Sequence, residues 1–228
     1  MKFSHSVSAV LVITLLISGC SGTEAKPNPQ SEKVPIHVED IDGNSYQIIQ
    51  IGEQVWMSEN LRTMHYRNGE EIPSSLGRKA WKTRREGMRC AYDDDDANSK
   101  QYGQLYNWYA VKDDRGLCPS GWHVPSIEEW GILEQTLGHF SFDWEGRRGR
   151  HGVLMKSNAW NGNNSSGFSG LPGGGRDSAG YFRSLHKRGY WWSSSDYAYY
   201  LALYDDGNYV GRGYYDKRGG FSVRCVRD

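Results

Sequence analysis

Seven histidines, four cysteines and a dense block of tyrosines are the side chains with chemistry to offer in this 228-residue chain. The histidines stand at positions 5, 37, 65, 123, 139, 151 and 186. No two share the i, i+4 spacing that sets both imidazoles on one helix face, and no cysteines have zinc-type spacing. Gly167-Phe168-Ser169-Gly170 approaches a nucleophile elbow but lacks its second spacer. Gly173-Gly174-Gly175 lies among loop residues, not between a strand and a helix, which argues against a phosphate cradle. His123 follows Trp122 just ahead of a helix start, a place for a structural imidazole rather than a base. Asp93, Asp95 and Asn98 offer oxygen ligands as a calcium loop would. They lack the central glycine and closing glutamate of such a loop, so calcium is a weak candidate and no other cofactor is expected. The expectation is a protein that binds rather than catalyses.

What it would bind with is a run of aromatics. Residues 190–215 hold eight of the fifteen tyrosines plus Trp191 and Trp192, interleaved with Asp, Asn, Ser, Arg and Gly. Tyrosine supplies rigid contact area with a polar tip, small polar neighbours supply adaptable hydrogen bonds, and flat rings suit sugars. Trp191, Leu201 and Leu203 are assigned to the core. Tyr200, Tyr204, Tyr209 and Tyr214, with Arg212, are the candidate ligand-binding residues, for a glycan or a surface protein.

The elements that must position them are β-rich and turn-punctuated. Asp42-Gly43-Asn44 and Gly52-Glu53-Gln54 turn the chain around strands at Tyr46–Ile51 and Val55–Met57. Ser126 with Glu129 forms a capping box, and Ile127, Trp130, Leu133 and Leu137 make an amphipathic stripe that Gly138 ends. Tyr102–Val111 is expected as a second short helix. Tyr190–Ser193, Tyr199–Tyr204 and Tyr209–Tyr215 read as strands, and a final one runs over Phe221–Cys225. Its period of two turns Phe221, Val223 and Cys225 inward, which suits Cys225 to a disulfide, with Cys118 the preferred partner and Cys90 the alternative. Residues 76–89 carry Arg78, Lys79, Lys82, Arg84, Arg85 and Arg89 against Glu86, and read as a solvated loop whose charge Asp93–Asp96 cancels locally.

Acidic and basic residues balance at 27 each, so no overall field draws the chain to nucleic acid. Mean hydropathy is −0.72. The apolar run Val10–Ile17 is too short to span a bilayer, and Ser18-Gly19-Cys20 follows it in the manner of a lipoprotein signal. The reading is a cleaved signal at 1–19, an acylated Cys20, a Pro-rich tether over 20–37 and one domain over 38–228. Ser21 lacks the aspartate that retains some lipoproteins at the inner membrane, so an outer-membrane lipoprotein of the bacterial envelope is expected, with the membrane as partner.

Several strings fall in a familiar order: Asp42-Gly43-Asn44-Ser45-Tyr46, Ile51-Gly52-Glu53-Gln54-Val55-Trp56-Met57-Ser58-Glu59-Asn60-Leu61 and Tyr102-Gly103-Gln104-Leu105-Tyr106-Asn107-Trp108. Cys118-Pro119-Ser120-Gly121-Trp122-His123-Val124-Pro125-Ser126, Gly167–Gly174, Tyr190–Ser194 and Gly220–Arg227 continue it. Together they resemble the Fibrobacter succinogenes major paralogous domain, a family of exported bacterial proteins of unknown function. The basic stretch at 76–89 looks like an insertion in that pattern. The resemblance implies an α+β fold similar to C-type lectin domains and to the formylglycine-generating sulfatase-modifying domain, with its first and last strands side by side. It also raises an enzymatic alternative, since the sulfatase-modifying relatives use a reactive cysteine pair. An inward Cys225 with no cysteine near it in sequence argues against that chemistry here. The Glu-Pro-Asn and Trp-Asn-Asp strings that resemble sugar-coordinating calcium sites of some lectins are absent. A purely structural envelope protein is the remaining alternative.

Overall fold

Gly43 and Gly52, at φ +77° and +62°, close the two turns that fold the start of the domain into a meander. A Cβ on Gly52 would sit 2.8 Å from Thr136 Oγ1, so only glycine fits that turn. The computed structural model describes Met1 and residues 37–74, 77–138 and 146–228. The apolar run, Cys20 and nearly all of the tether lie outside these residues. Pro35–Asp228 form one compact unit. No helix among the described residues is long and apolar enough to cross a membrane.

The meander is β1 (His37–Glu39), β2 (Ser45–Ile51) and β3 (Gln54–Met57). It joins β14 (Val226–Arg227), which in turn pairs with β6 (Trp122–His123) in the order β1-β2-β3-β14-β6. The last strand therefore pairs with the third strand of the opening meander, while β1 lies at the far edge of the sheet. The larger sheet runs β4 (Arg89–Cys90), β5 (Leu105–Asn107), β13 (Gly220–Phe221), β8 (Gly173–Arg176), β10 (Arg188–Trp192), β11 (Tyr199–Tyr204), β12 (Val210–Tyr214) and β7 (Gly146–Arg148). Strand β9 (Phe182–Leu185) pairs with β8 off this path. Most pairings are antiparallel, and the helices are short: α1 (Arg78–Thr83), α2 (Asp96–Tyr102), α3 (Trp108–Val111), α4 (Ile127–Thr136) and α5 (Gly152–Met155). The fold is α+β, with mainly antiparallel sheet.

Helix α4 is the element the sequence signalled most strongly. Ser126 Oγ accepts from the Glu129 amide while Glu129 accepts from the Ser126 amide, and Gly138 ends the helix at φ +92°. Its stripe buries Trp130 and Leu133 completely, against Trp56, Phe168, Trp191, Leu201 and Leu203. Phe168 is the hub of that cluster. Its ring meets Trp191 at 5.5 Å, Trp130 at 5.9 Å and Trp56 at 6.3 Å, all edge to face.

Three expectations fail, each through tertiary packing. Residues 102–111 are not one helix. Gly103 leaves α2 at φ +84°, where a Cβ would strike Asn60, and 105–107 then form β5 between β4 and β13 before α3 adds one turn. The final strand is split. Gly220–Phe221 belong to one sheet and Val226–Arg227 to the other, and every residue from Phe221 to Val226 is buried. Alternation fails there because the segment threads between two clusters: Val223 and Cys225 face one core, while Arg224 enters the other. Arg224 donates to the Phe168 carbonyl and to Asn60 Oδ1 at 2.7 Å, with its guanidinium 4.0 Å from the Phe168 ring. Burial pulls its pKa down to about 9, which still leaves it charged at neutral pH.

The basic stretch keeps most of its cations in solvent, as expected, but folds in part into α1 instead of running as a loop. Trp81 is fully buried and carries α1 down onto the sheet, under the guanidinium of Arg176 at 4.7 Å. Asp94 faces that same buried Arg176 at 3.6 Å, so the acidic run serves an internal arginine rather than the basic stretch.

Candidate functional site

Antiparallel pairing of β10, β11 and β12 sorts the tyrosine block into two faces. Arg188 sits opposite Tyr204, Tyr190 opposite Ala202, and Tyr200 opposite Gly213. Because side chains alternate along a strand, Arg188, Tyr190, Tyr200, Tyr204, Gly211 and Gly213 share one face. Leu201, Leu203 and Trp191 point the other way into the core and are fully buried, as expected of them.

Glycines give the first face its shape. A Cβ on Gly211 would lie 2.3 Å from Tyr204 Oη, and one on Gly213 would lie 3.0 Å from Tyr200 Oη. The two rings therefore lie across bare backbone of β12. Phe221 forms the floor: Tyr190 stacks on it at 4.8 Å, and Tyr200 and Tyr215 meet it at 5.3 Å. Tyr209 packs against Tyr204 at 4.9 Å and donates to Asp206 at 2.7 Å. Tyr190, Tyr200, Tyr204 and Tyr209 are half-buried and Tyr215 is exposed, so each keeps part of a ring in water. Burial pushes the Tyr200 hydroxyl up to about 12, with neighbouring tyrosines adding to the effect, so it stays protonated and able to donate.

Of the five residues chosen from sequence, Tyr200, Tyr204 and Tyr209 come together here. Arg212 and Tyr214 fall on the opposite face. Arg212 turns toward α4, donating to Glu134 at 2.7 Å and to the Ile127 carbonyl at 3.3 Å, so it anchors a helix instead of facing solvent. Tyr214 pairs with Tyr199 and is 68% exposed. Sequence reasoning missed Arg188, Tyr190, Tyr215 and Phe221. Alternation in β10 places Arg188 with Tyr190, but strand register is needed to bring both beside Tyr204.

Asp95 and the side chain of Asn98 make local hydrogen bonds. Asp95 caps α2 by accepting from the Ala97 amide at 2.9 Å, and the Asn98 amide donates to the Tyr92 carbonyl at 3.0 Å. Among the described residues no group of three His, Cys, Asp or Glu is placed to hold a metal.

The cysteines among the described residues are accounted for. Cys118 and Cys225 form a disulfide with Cα atoms 6.0 Å apart across 107 residues of sequence. Cys90 is free, buried, and pushed by burial up to about 12, the reverse of a reactive thiolate. Cys118 is bridged and buried.

His123 stands between two carboxylates. Nδ1 meets Asp228 at 2.6 Å and Nε2 meets Glu129 at 2.7 Å, which ties the last residue to the α4 capping box. Burial on its own would lower the imidazole pKa, but the hydrogen bonds and charges of Asp228 and Glu129 outweigh it and raise it. A raised folded-state pKa stabilises the fold fully below the unfolded value of 6.5, and that contribution is lost as pH rises through the folded value. The melting temperature should therefore fall across that window, and His123→Gln should flatten this part of the profile. An unchanged slope in the variant would show that another group causes the fall.

Comparison with curated proteins and with solved structures yields no match in either. Residues 49–227 match the model of the Fibrobacter succinogenes major domain, with β10 to β12, the disulfide and α4 inside the match. The chain belongs to the Fibrobacter succinogenes major domain family.

Proposed function

We propose that this protein is a lipid-anchored extracytoplasmic binding module that recognises a glycan through the tyrosine face, without catalysis. The observation that carries the reading is the glycine-backed paving of Tyr200 and Tyr204 beside Tyr190 and Tyr209. Rings that are half-buried and held by neighbours lose little entropy on binding, and the Tyr190 and Tyr209 hydroxyls meet Arg188 and Asp206. Flat faces with polar tips suit pyranose rings, which have apolar faces and hydroxyl edges. The fold reads as C-type-lectin-like, supported by the pairing of β14 with β3, the capping box of α4 and the disulfide at the closing segment. Acylation of Cys20 would hold the domain at the outer membrane through the Pro-rich segment that follows it.

The test is binding of the purified protein to a broad glycan and plant-polysaccharide panel, with calcium and with EDTA. Saturable binding should be lost in Tyr204→Ala and Tyr209→Ala. Gly211→Ala should also weaken it about tenfold by pushing the Tyr204 ring from its seat, with the melting temperature nearly unchanged. EDTA sensitivity would bring calcium into the site. A folded protein that binds nothing on the panel would sink the glycan reading, and the structural alternative would then take its place.

A further inference from the structure

Arg188 is set within the tyrosine face itself. Its guanidinium lies 5.2 Å from the Tyr204 ring centre, and Nη1 donates to Tyr190 Oη at 3.3 Å. Among the described residues no carboxylate forms an ion pair with it, although the charge of Asp206 is felt at a distance. A guanidinium has five N–H donors in a planar fork, and one of these is committed. Packing against rings has already removed much of the side chain's freedom, so the remaining donors are pre-aligned. A neutral sugar would fill them with single hydrogen bonds, whereas a carboxylate would engage them in parallel and neutralise the charge.

The rim carries a second observation. Helix α1 is a folded presenter of cations, fixed by buried Trp81 and by Arg218, which donates to the Lys82 carbonyl at 3.1 Å. Arg84 pairs with Glu86 and Arg89 with Glu71, but Lys79, Lys82 and Arg85 are exposed and without a carboxylate partner among the described residues. The rim is joined to the face through Tyr215, whose ring touches Phe221 and whose neighbour Asp216 is held by Arg218 at 2.5 Å. Beside it Arg78 lies 3.5 Å from the centre of the exposed Tyr181 ring. In a chain with no net charge, unpaired cations gathered along one rim are a local field.

We propose that the ligand is a uronate-bearing polysaccharide, with Arg188 gripping a sugar carboxylate between Tyr190 and Tyr204 while the α1 rim draws the chain in. This deepens the glycan reading above and rests on it.

The test is affinity of the full-length protein in detergent for polygalacturonate and alginate, set against the same backbone as methyl-esterified pectin and against dextran sulfate. The acid forms should bind about tenfold or more tightly than the ester. Arg188→Gln should abolish that preference, and Arg188→Lys should restore it only in part because an ammonium cannot bind in parallel. Lys79→Gln with Lys82→Gln should slow association and flatten its salt dependence. Arg227→Gln, on the other sheet, removes the same charge and should change nothing. Equal affinity for acid and ester would overturn the inference while leaving the glycan reading intact, provided Tyr204→Ala still abolishes binding. Dextran sulfate binding as tightly, unaffected by Arg188→Gln, would overturn it as mere polyanion attraction. No binding to any of the polymers would overturn it too. Panel binding to neutral glycans would then decide separately whether the tyrosine reading survives.

Discussion

Replacing Cys118 and Cys225 together by alanine is expected to lower the unfolding free energy by about 4 to 5 kcal/mol in urea titration. The bridge spans 107 residues, and in the chain-entropy description a cross-link that long removes a large part of the unfolded chain's freedom. It also has a local consequence. Cys225 lies in the segment that crosses between the two sheets, where Val223, Arg224 and Val226 are all buried. Untethered, that segment depends on β13 and β14, two residues each, for its register. Reduction of the wild-type protein should lower stability by a similar amount. A loss below about 1 kcal/mol would mean that the bridge constrains little that packing does not already constrain.

Phe168→Ala is expected to cost about 4 to 5 kcal/mol, at the upper end for a buried aromatic. Its ring is fully buried, meets three tryptophans edge to face, and carries the Arg224 guanidinium on its face at 4.0 Å. Arg224 has no carboxylate partner among the described residues, so the ring's negative face is a principal compensation for burying that charge. Phe168→Leu separates the two contributions. It keeps most of the volume and removes the π-face, and should cost about 2 kcal/mol. If leucine proved as damaging as alanine, the contact between ring and cation would account for most of the loss. If leucine were neutral, the ring would be acting as filler alone.

The parts legible in the sequence are those governed by neighbours along the chain. The capping box at Ser126 and Glu129 spans three residues and needs no partner from elsewhere, so the start of α4 could be read directly. Tyr199–Tyr204 was legible as a strand because a short run of aromatic and aliphatic residues lies between polar, turn-forming segments. The ordered motifs from Asp42 to Arg227 were enough to identify the family. Inward orientation of Cys225 was legible too, though choosing Cys118 over Cys90 needed the fold.

What the sequence left open depends on contacts between distant segments. Residues 102–111 were expected as a short helix, yet β5 is drawn out by two ladders that only the folded sheet supplies. Arg224 alternates with apolar neighbours as a solvent-facing residue would, but both sides of its segment are covered, and Asn60, 164 residues away, accepts a hydrogen bond from it. The candidate ligand residues show the same limit most sharply. Arg212 and Tyr214 share composition and strand with the tyrosine face, but side-chain period two puts them on its reverse, where Glu134 claims the arginine. Arg188 joins Tyr204 through register alone. By itself the sequence determined the tyrosine-rich composition of the face, the capped helix and the family, since these follow from local spacing and composition. Tertiary structure decided which side chains share a face, because strand pairing and burial are settled by segments that meet only when the chain folds.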